Sequence, residues 1–136
     1  MHNYISPIHP SKQATDSSYH NALDYLLSEV HKGHVHLIVA THNRESVQQA
    51  LMKIKELKLS PDGGSVAFGQ QLGMGDHLTY PLAQAGYSVN KVLAYGSLDN
   101  IIPFLTRRAQ ENRGFICSAQ EERLYYVDEL KRRIFG

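Results

Sequence analysis

An α/β fold with a parallel sheet is what this sequence predicts, on three observations. Apolar residues recur at helical spacing in several segments of the 136-residue chain. Short, nearly continuous apolar runs rich in β-branched residues stand between those segments, as strands do. Glycines and small polar caps mark the joints between the two kinds of segment.

Residues 1–14 carry Pro7 and Pro10 and read as an irregular lead-in. A first helix is expected over 16–32, where Tyr19, Ala22, Leu23, Leu26, Leu27 and Val30 form one stripe and Gly33 stands ready to end it. Residues 35–41 are continuous enough in apolar character to read as a strand covered on both faces. Asn43 is placed to cap a second helix with Val47, Ala50, Leu51, Ile54 and Leu57 on one side. The turn chemistry of 60–64 ends that unit. The pattern then repeats: a strand over 66–72, a helix over 76–85, a strand over 89–95, and a helix after Ser97 with Leu98, Ile101, Ile102 and Leu105 facing inward. Ser118 and Glu121 have capping-box spacing and predict the start of a last helix whose Leu124, Val127, Leu130 and Ile134 face inward.

Composition excludes several classes. Lys plus Arg is 14 and Asp plus Glu is 13, so no strong field serves nucleic acid or an anionic membrane. The single cysteine, Cys117, excludes an internal disulfide framework and a four-cysteine zinc site. No apolar run reaches the roughly 20 residues that span a bilayer. The first residues, MHNYISPIHP, lack the pattern of a targeting segment.

Strands joined through helices make right-handed parallel units. Three such strands leave two unpaired sheet edges, which predicts a slice of a larger sheet or one that pairs with another chain. A (β/α)8 barrel takes about 250 residues. On that arithmetic the chain would be the last three β/α units of such a barrel plus a C-terminal helix, incomplete as a barrel on its own. A flavodoxin-like open sheet is the competing architecture, although it uses about five strands. One partial domain over 1–136 is expected, with the lead-in at 1–14, the β/α units at 15–114 and the C-terminal helix at 115–136.

In such folds ligands sit at the carboxyl ends of the strands. Those ends are polar here: Thr41-His42-Asn43, then Gln70 and Gln71 before Gly73 and Gly75, then Tyr95-Gly96. Thr41 and Asn43 serve equally well as helix caps, so the pattern alone leaves both roles open. Arg107 and Arg108 are neighbours about 100° apart on a helix. They can flank one carboxylate through paired hydrogen bonds, or form a solvated face with an Arg107–Glu111 pair. His31, His34 and His36 lack carboxylate or thiolate partners at ligand spacing, so no metal site is expected. Gly69, Gly73 and Gly75 do not form the dinucleotide-binding glycine pattern.

Five motifs in order bring a resemblance: Ala40-Thr41-His42-Asn43; 68–76, FGQQLGMGD; 80–87, YPLAQAGY; Tyr95-Gly96; and 103–112, PFLTRRAQEN. Together they resemble the carboxy-terminal part of the proline dehydrogenases, above all the mitochondrial eukaryotic form. The lead-in from Pro7 to Tyr25 shares the likeness. The resemblance implies a distorted (β/α)8 barrel that uses FAD to oxidise L-proline to 1-pyrroline-5-carboxylate and passes the electrons to a quinone. It implies a mitochondrial location and peripheral membrane association of the full-length enzyme. By the same likeness Arg107 and Arg108 hold the substrate carboxylate, and Phe104 and Gln71 stand beside its ring. Thr41, His42, Asn43, Gln70 and Glu111 lie on the FAD side. No residue is assigned a catalytic role. Three positions depart from the family's pattern: Gln71 stands where relatives carry Leu, Val92 where many carry Tyr, and Phe104 where Tyr is frequent. An amide at 71 can bond a hydroxylated ring, which keeps a hydroxyproline-oxidising variant beside the proline reading. An inactive paralogue acting as an interaction module through its open edges is the other alternative. Alone, the chain is expected to be colourless and to self-associate.

Overall fold

The computed structural model describes residues 7–62, 64–111 and 115–135. Its first helix, α1 (Lys12–His31), starts earlier than the apolar stripe suggests, because the Ser11 hydroxyl accepts from the Ala14 N–H at 3.1 Å. That cap satisfies one of the orphan donors of the first turn and confines the lead-in to residues before 12. Leu23, Leu27 and Val30 are buried. Tyr19 is partly buried against the same core, and burial pushes its phenol above the ordinary tyrosine value. Gly33, at φ 79°, follows the helix end where the sequence puts it.

Three β/α units follow: β1 (Leu37–Ala40), α2 (Arg44–Glu56), β2 (Val66–Gln71), α3 (Asp76–Gln84), β3 (Ser88–Val92) and α4 (Leu98–Glu111), with α5 (Phe115–Phe135) last. The strands lie in the order β1-β2-β3 and both pairings are parallel. A flavodoxin-like sheet reverses its order after the first strand. This one does not.

Period-2 alternation then sorts the side chains. Val39, Val66, Phe68 and Gln70 are buried on the face that α1, α2 and α3 cover. The opposite face carries Ile38, Ala40, Ala67, Gly69, Gln71, Asn90 and Val92. Ile38 is 66% and Val92 52% exposed there. The expectation of strands covered on both faces is therefore corrected: among the described residues helices cover one face only, and β3 is not fully buried at any position.

The two last helices also depart from expectation. Leu98, Ile102 and Leu105 of α4 are exposed rather than inward, and α4 buries no residue completely. In α5, Leu124, Val127, Leu130 and Ile134 are exposed. The helix begins at Phe115, so Ser118 and Glu121 lie inside it and not at its start. For α4 the physical reason is that the described sheet ends at β3 and leaves its apolar stripe no further strand to cover, whereas α5 brings Tyr126 and Leu130 to an open cleft that α2 and α3 also line.

Asn43 caps α2 as expected, its Oδ1 accepting from the Glu45 N–H at 2.9 Å. Asn43→Ala is expected to lower unfolding free energy by about 1 kcal/mol, read from the urea midpoint.

Candidate functional site

The carboxyl ends of β1 and β2 are held together by side chains that reach across. Thr41 Oγ1 accepts from the Asn43 N–H at 3.0 Å, which turns the chain sharply between β1 and α2. Asn43 Nδ2 donates to Asp16 Oδ1 at 3.4 Å, tying the same corner to α1. The Gln71 N–H donates to His42 Nε2 at 2.9 Å. That bond needs a lone pair on Nε2, so the ring carries its proton on Nδ1. Of the two roles the sequence left open, the structure shows the helix cap, and it ties the strand-end trio to the end of β2 through His42.

The β2–α3 turn closes the rim. Gly75 sits at φ 67°, and a Cβ there would stand 3.3 Å from His42 Cδ2 and 3.4 Å from Gln70 Cγ. Lys91, from β3, donates to the Met74 carbonyl and pairs with Asp76, both at 2.7 Å. Sequence reasoning missed Lys91, since nothing local marks a lysine that reaches back to an earlier turn. Gly75→Ala combines a left-handed backbone with a tight contact. It is expected to cost about 1–3 kcal/mol and to loosen His42, checked by urea unfolding and by the imidazole NMR signals.

Gln71 and Val92 are direct cross-strand partners on the uncovered face. Gln70 points the other way. It is 1% exposed on the helix-covered face, with Nε2 at 3.5 Å from the Thr41 carbonyl and Thr79 Oγ1 at 3.1 Å from its Oε1. The structure thus brings Thr41, His42, Asn43 and Gln71 together and sets Gln70 behind them.

Arg107 and Arg108 lie in the last turns of α4. Arg107 is exposed and Arg108 half-buried. The ion pair at this helix end is Arg108–Glu111 at 2.7 Å, not the Arg107–Glu111 pair that i,i+4 spacing suggested. The Arg108 guanidinium also lies 5.6 Å from the centre of the Phe104 ring. Among the described residues its buried Nε–H has no partner. No described hydrogen bond or ion pair joins Phe104, Arg107, Arg108 or Glu111 to the rim at Thr41–Asn43. His34 and His36 are engaged separately, with Glu29 at 2.9 Å and the Gly64 carbonyl at 3.3 Å. Among the described residues no helix is long and apolar enough to cross a membrane.

A singly wound parallel sheet, helices on one face and polar groups at the carboxyl ends of its strands, defines a piece of a β/α protein with a polar rim. Comparison with known proteins narrows it. Residues 1–118 match the model of the proline dehydrogenase family, and the chain belongs to that family. It is 48% identical over 132 residues to hydroxyproline dehydrogenase of Bos taurus, covering 96% of this chain and 28% of that protein. It is 45% identical over 132 residues to mitochondrial proline dehydrogenase 1 of Bos taurus, covering 96% of this chain and 22% of that protein. The chain thus spans less than a third of the length of these curated relatives. Its fold matches the crystal structure of proline utilization A from Bdellovibrio bacteriovorus inactivated by N-propargylglycine, with a TM-score of 0.69 and 22% identity over 78% of this chain and 11% of that one.

Proposed function

We propose that this chain is the closing arc of a (β/α)8 barrel flavoenzyme that oxidises L-proline or its hydroxylated analogue, with the three β/α units as the last three of the eight. The observation that carries the reading is the one-sided sheet. Strands in sequential order, helices outside and an inner face without helices are what an arc of a barrel has.

The inner face also fits the cofactor the family implies. A planar ring system needs a flat floor. Ala40 and Gly69 stand side by side in register, with Ala67 before them. A Cβ at Gly69 would meet Ile38 Cγ2 at 3.4 Å and would fill that floor. FAD bound there would accept a hydride from the amino-acid ring and deliver the electrons to a quinone. Thr41, His42 and Asn43 would hold the cofactor from the rim, with Glu111 beside it. Gln71 and Val92 would wall the substrate ring from the inner face, and Phe104 would pack on it from α4. Arg107 and Arg108 would hold the carboxylate. The unpartnered Arg108 Nε–H supports this role, since a buried donor without an acceptor is costly until a ligand supplies one. Two guanidinium groups fix the angle of a small zwitterion, and orientation is where much of the rate arises.

Gln71 extends the reading to hydroxyproline. An amide on the wall can bond a ring hydroxyl, and without such a partner its burial against a ligand is unfavourable. Location in mitochondria, a quinone acceptor and peripheral membrane association complete the proposal by analogy with the family. The open sheet edges support a second reading, a module that associates with copies of itself.

The test is a chimera. In bovine hydroxyproline dehydrogenase the segment that this chain matches is replaced by the chain. The expected product is a yellow, monodisperse protein whose flavin bleaches on addition of proline or hydroxyproline. A colourless chimera, or a yellow one that neither amino acid reduces, refutes the dehydrogenase reading and leaves the self-associating module. The 136-residue chain alone is expected to bind no flavin and to sediment as an oligomer.

A further inference from the structure

We propose that Gln70 is a positioning residue: its buried amide grips the Thr41 carbonyl from behind and sets the orientation of the rim at His42. The inference deepens the reading above and rests on it only for the flavin part of its test.

A primary amide that is 1% exposed must find partners or lose free energy. Gln70 finds them on two other elements. Its Nε2 faces the Thr41 carbonyl at 3.5 Å, and its Oε1 faces the Thr79 hydroxyl of α3 at 3.1 Å. The orientation of the amide follows from chemistry. The Thr41 carbonyl can only accept, so the NH2 group must face it. Thr79 has one hydroxyl proton, shared between Gln70 Oε1 and the Gly75 carbonyl at 3.0 Å. Gln70 therefore links the end of β1 to the start of α3, and Thr79 carries the link on to the turn between β2 and α3.

The consequence reaches His42 through the peptide plane. The Thr41 carbonyl and the His42 N–H belong to one rigid trans peptide and point in opposite directions. Holding the oxygen toward Gln70 aims that N–H away from the helix-covered face. The His42 ring is held separately, by the Gln71 N–H at 2.9 Å, and it stands where a Cβ added at Gly75 would come within 3.3 Å of its Cδ2. Gln70 and Gln71 are sequential, so the strand's alternation divides the work. The side chain of 70 holds the backbone of β1 from behind, and the backbone of 71 holds the ring of His42.

The experiment uses Gln70→Leu, which keeps bulk and removes the amide, with Thr79→Val and Thr79→Ser. In the full 136-residue chain, hydrogen exchange is read by mass spectrometry at residues 43–47 and 71, against 23–30 of α1 as a reference. Gln70→Leu is expected to speed exchange about tenfold at the rim and leave α1 unchanged. Thr79→Val should act in the same direction and Thr79→Ser should restore protection. In the chimera, Gln70→Leu is expected to weaken flavin binding about tenfold and shift the visible flavin bands, with KM for the amino acid unchanged. Rim exchange that stays at the parental rate, or that rises equally in α1, overturns the proposal. So does a parental chain whose rim is already unprotected. A colourless parental chimera would sink the dehydrogenase reading instead, and exchange in the 136-residue chain would still decide the role of Gln70.

Discussion

Arg108→Met in the yellow chimera is expected to raise KM for the amino acid about a hundredfold, with flavin content unchanged. Each charge-assisted hydrogen bond removed from a carboxylate is worth about 1.5–3 kcal/mol, and about 1.4 kcal/mol is a factor of ten. A fork that supplies two such bonds accounts for the hundredfold. Arg108→Lys should not restore the parental KM, because an ammonium lacks the planar pair of donors. The measurement is an amino-acid titration of anaerobic flavin bleaching. The structure gives the opposing outcome a concrete form. Arg108 already pairs with Glu111 at 2.7 Å and stacks near Phe104, which are the contacts of an ordinary helix-end arginine. If KM stays within twofold of the parent, those contacts are all that the residue makes, and α4 presents a solvated face. The unpartnered Nε–H argues for the first outcome. A guanidinium that served only the helix end would turn that donor to water.

How far the sequence disclosed this arrangement depends on whether the signal was local. Asn43 was legible because a cap is a matter of one side chain and the next few amides. The apolar runs at β1 and β2 were legible because a strand announces itself over four to six residues. Their single-sided cover was not, since a strand reads as continuous whether a second layer exists or not. The stripes on α4 and α5 repeat that lesson, for periodicity records that a helix has an apolar face and not that a partner lies against it. Gln70 is a different case. Phe68 was an evident core residue, and period-2 alternation puts residue 70 on the same side. The family's signature drew it toward the ligand, while the pleat had already turned it to the core. For Arg107, Arg108 and Glu111 both ion-pair spacings were available on one helix, and only side-chain conformation selects i,i+3. Lys91 carried no signal at all, because its partners Met74 and Asp76 lie in the preceding unit.

Phe68→Ala is expected to cost about 3–5 kcal/mol, the largest stability loss of any single substitution considered, against total stabilities of about 5–15 kcal/mol for ordinary domains. Phe68 is 0% exposed at the centre of the middle strand, and its ring meets Tyr87 edge-on at 5.7 Å between centres. Neighbours on α1, α2 and α3 belong to the same core, so no one element can collapse into the vacated volume. Urea unfolding of the chimera reads the loss. Leu93→Ala, at a position that is 62% exposed, supplies the contrast and should stay within about 0.5 kcal/mol. The effect should not stop at stability. Phe68 and Gln70 face the helices while Gly69 and Gln71 face the side without helices, so one strand carries both the anchor and the proposed site. A β2 that shifts to fill a cavity at 68 moves the Gln71 amide away from His42. Phe68→Ala is therefore expected to weaken flavin binding at temperatures where the protein is still folded. Phe68→Leu, which refills most of the volume, should recover most of both losses. Weak flavin binding that persists in Phe68→Leu after its stability has returned would separate the two faces and show that the core does not set the rim.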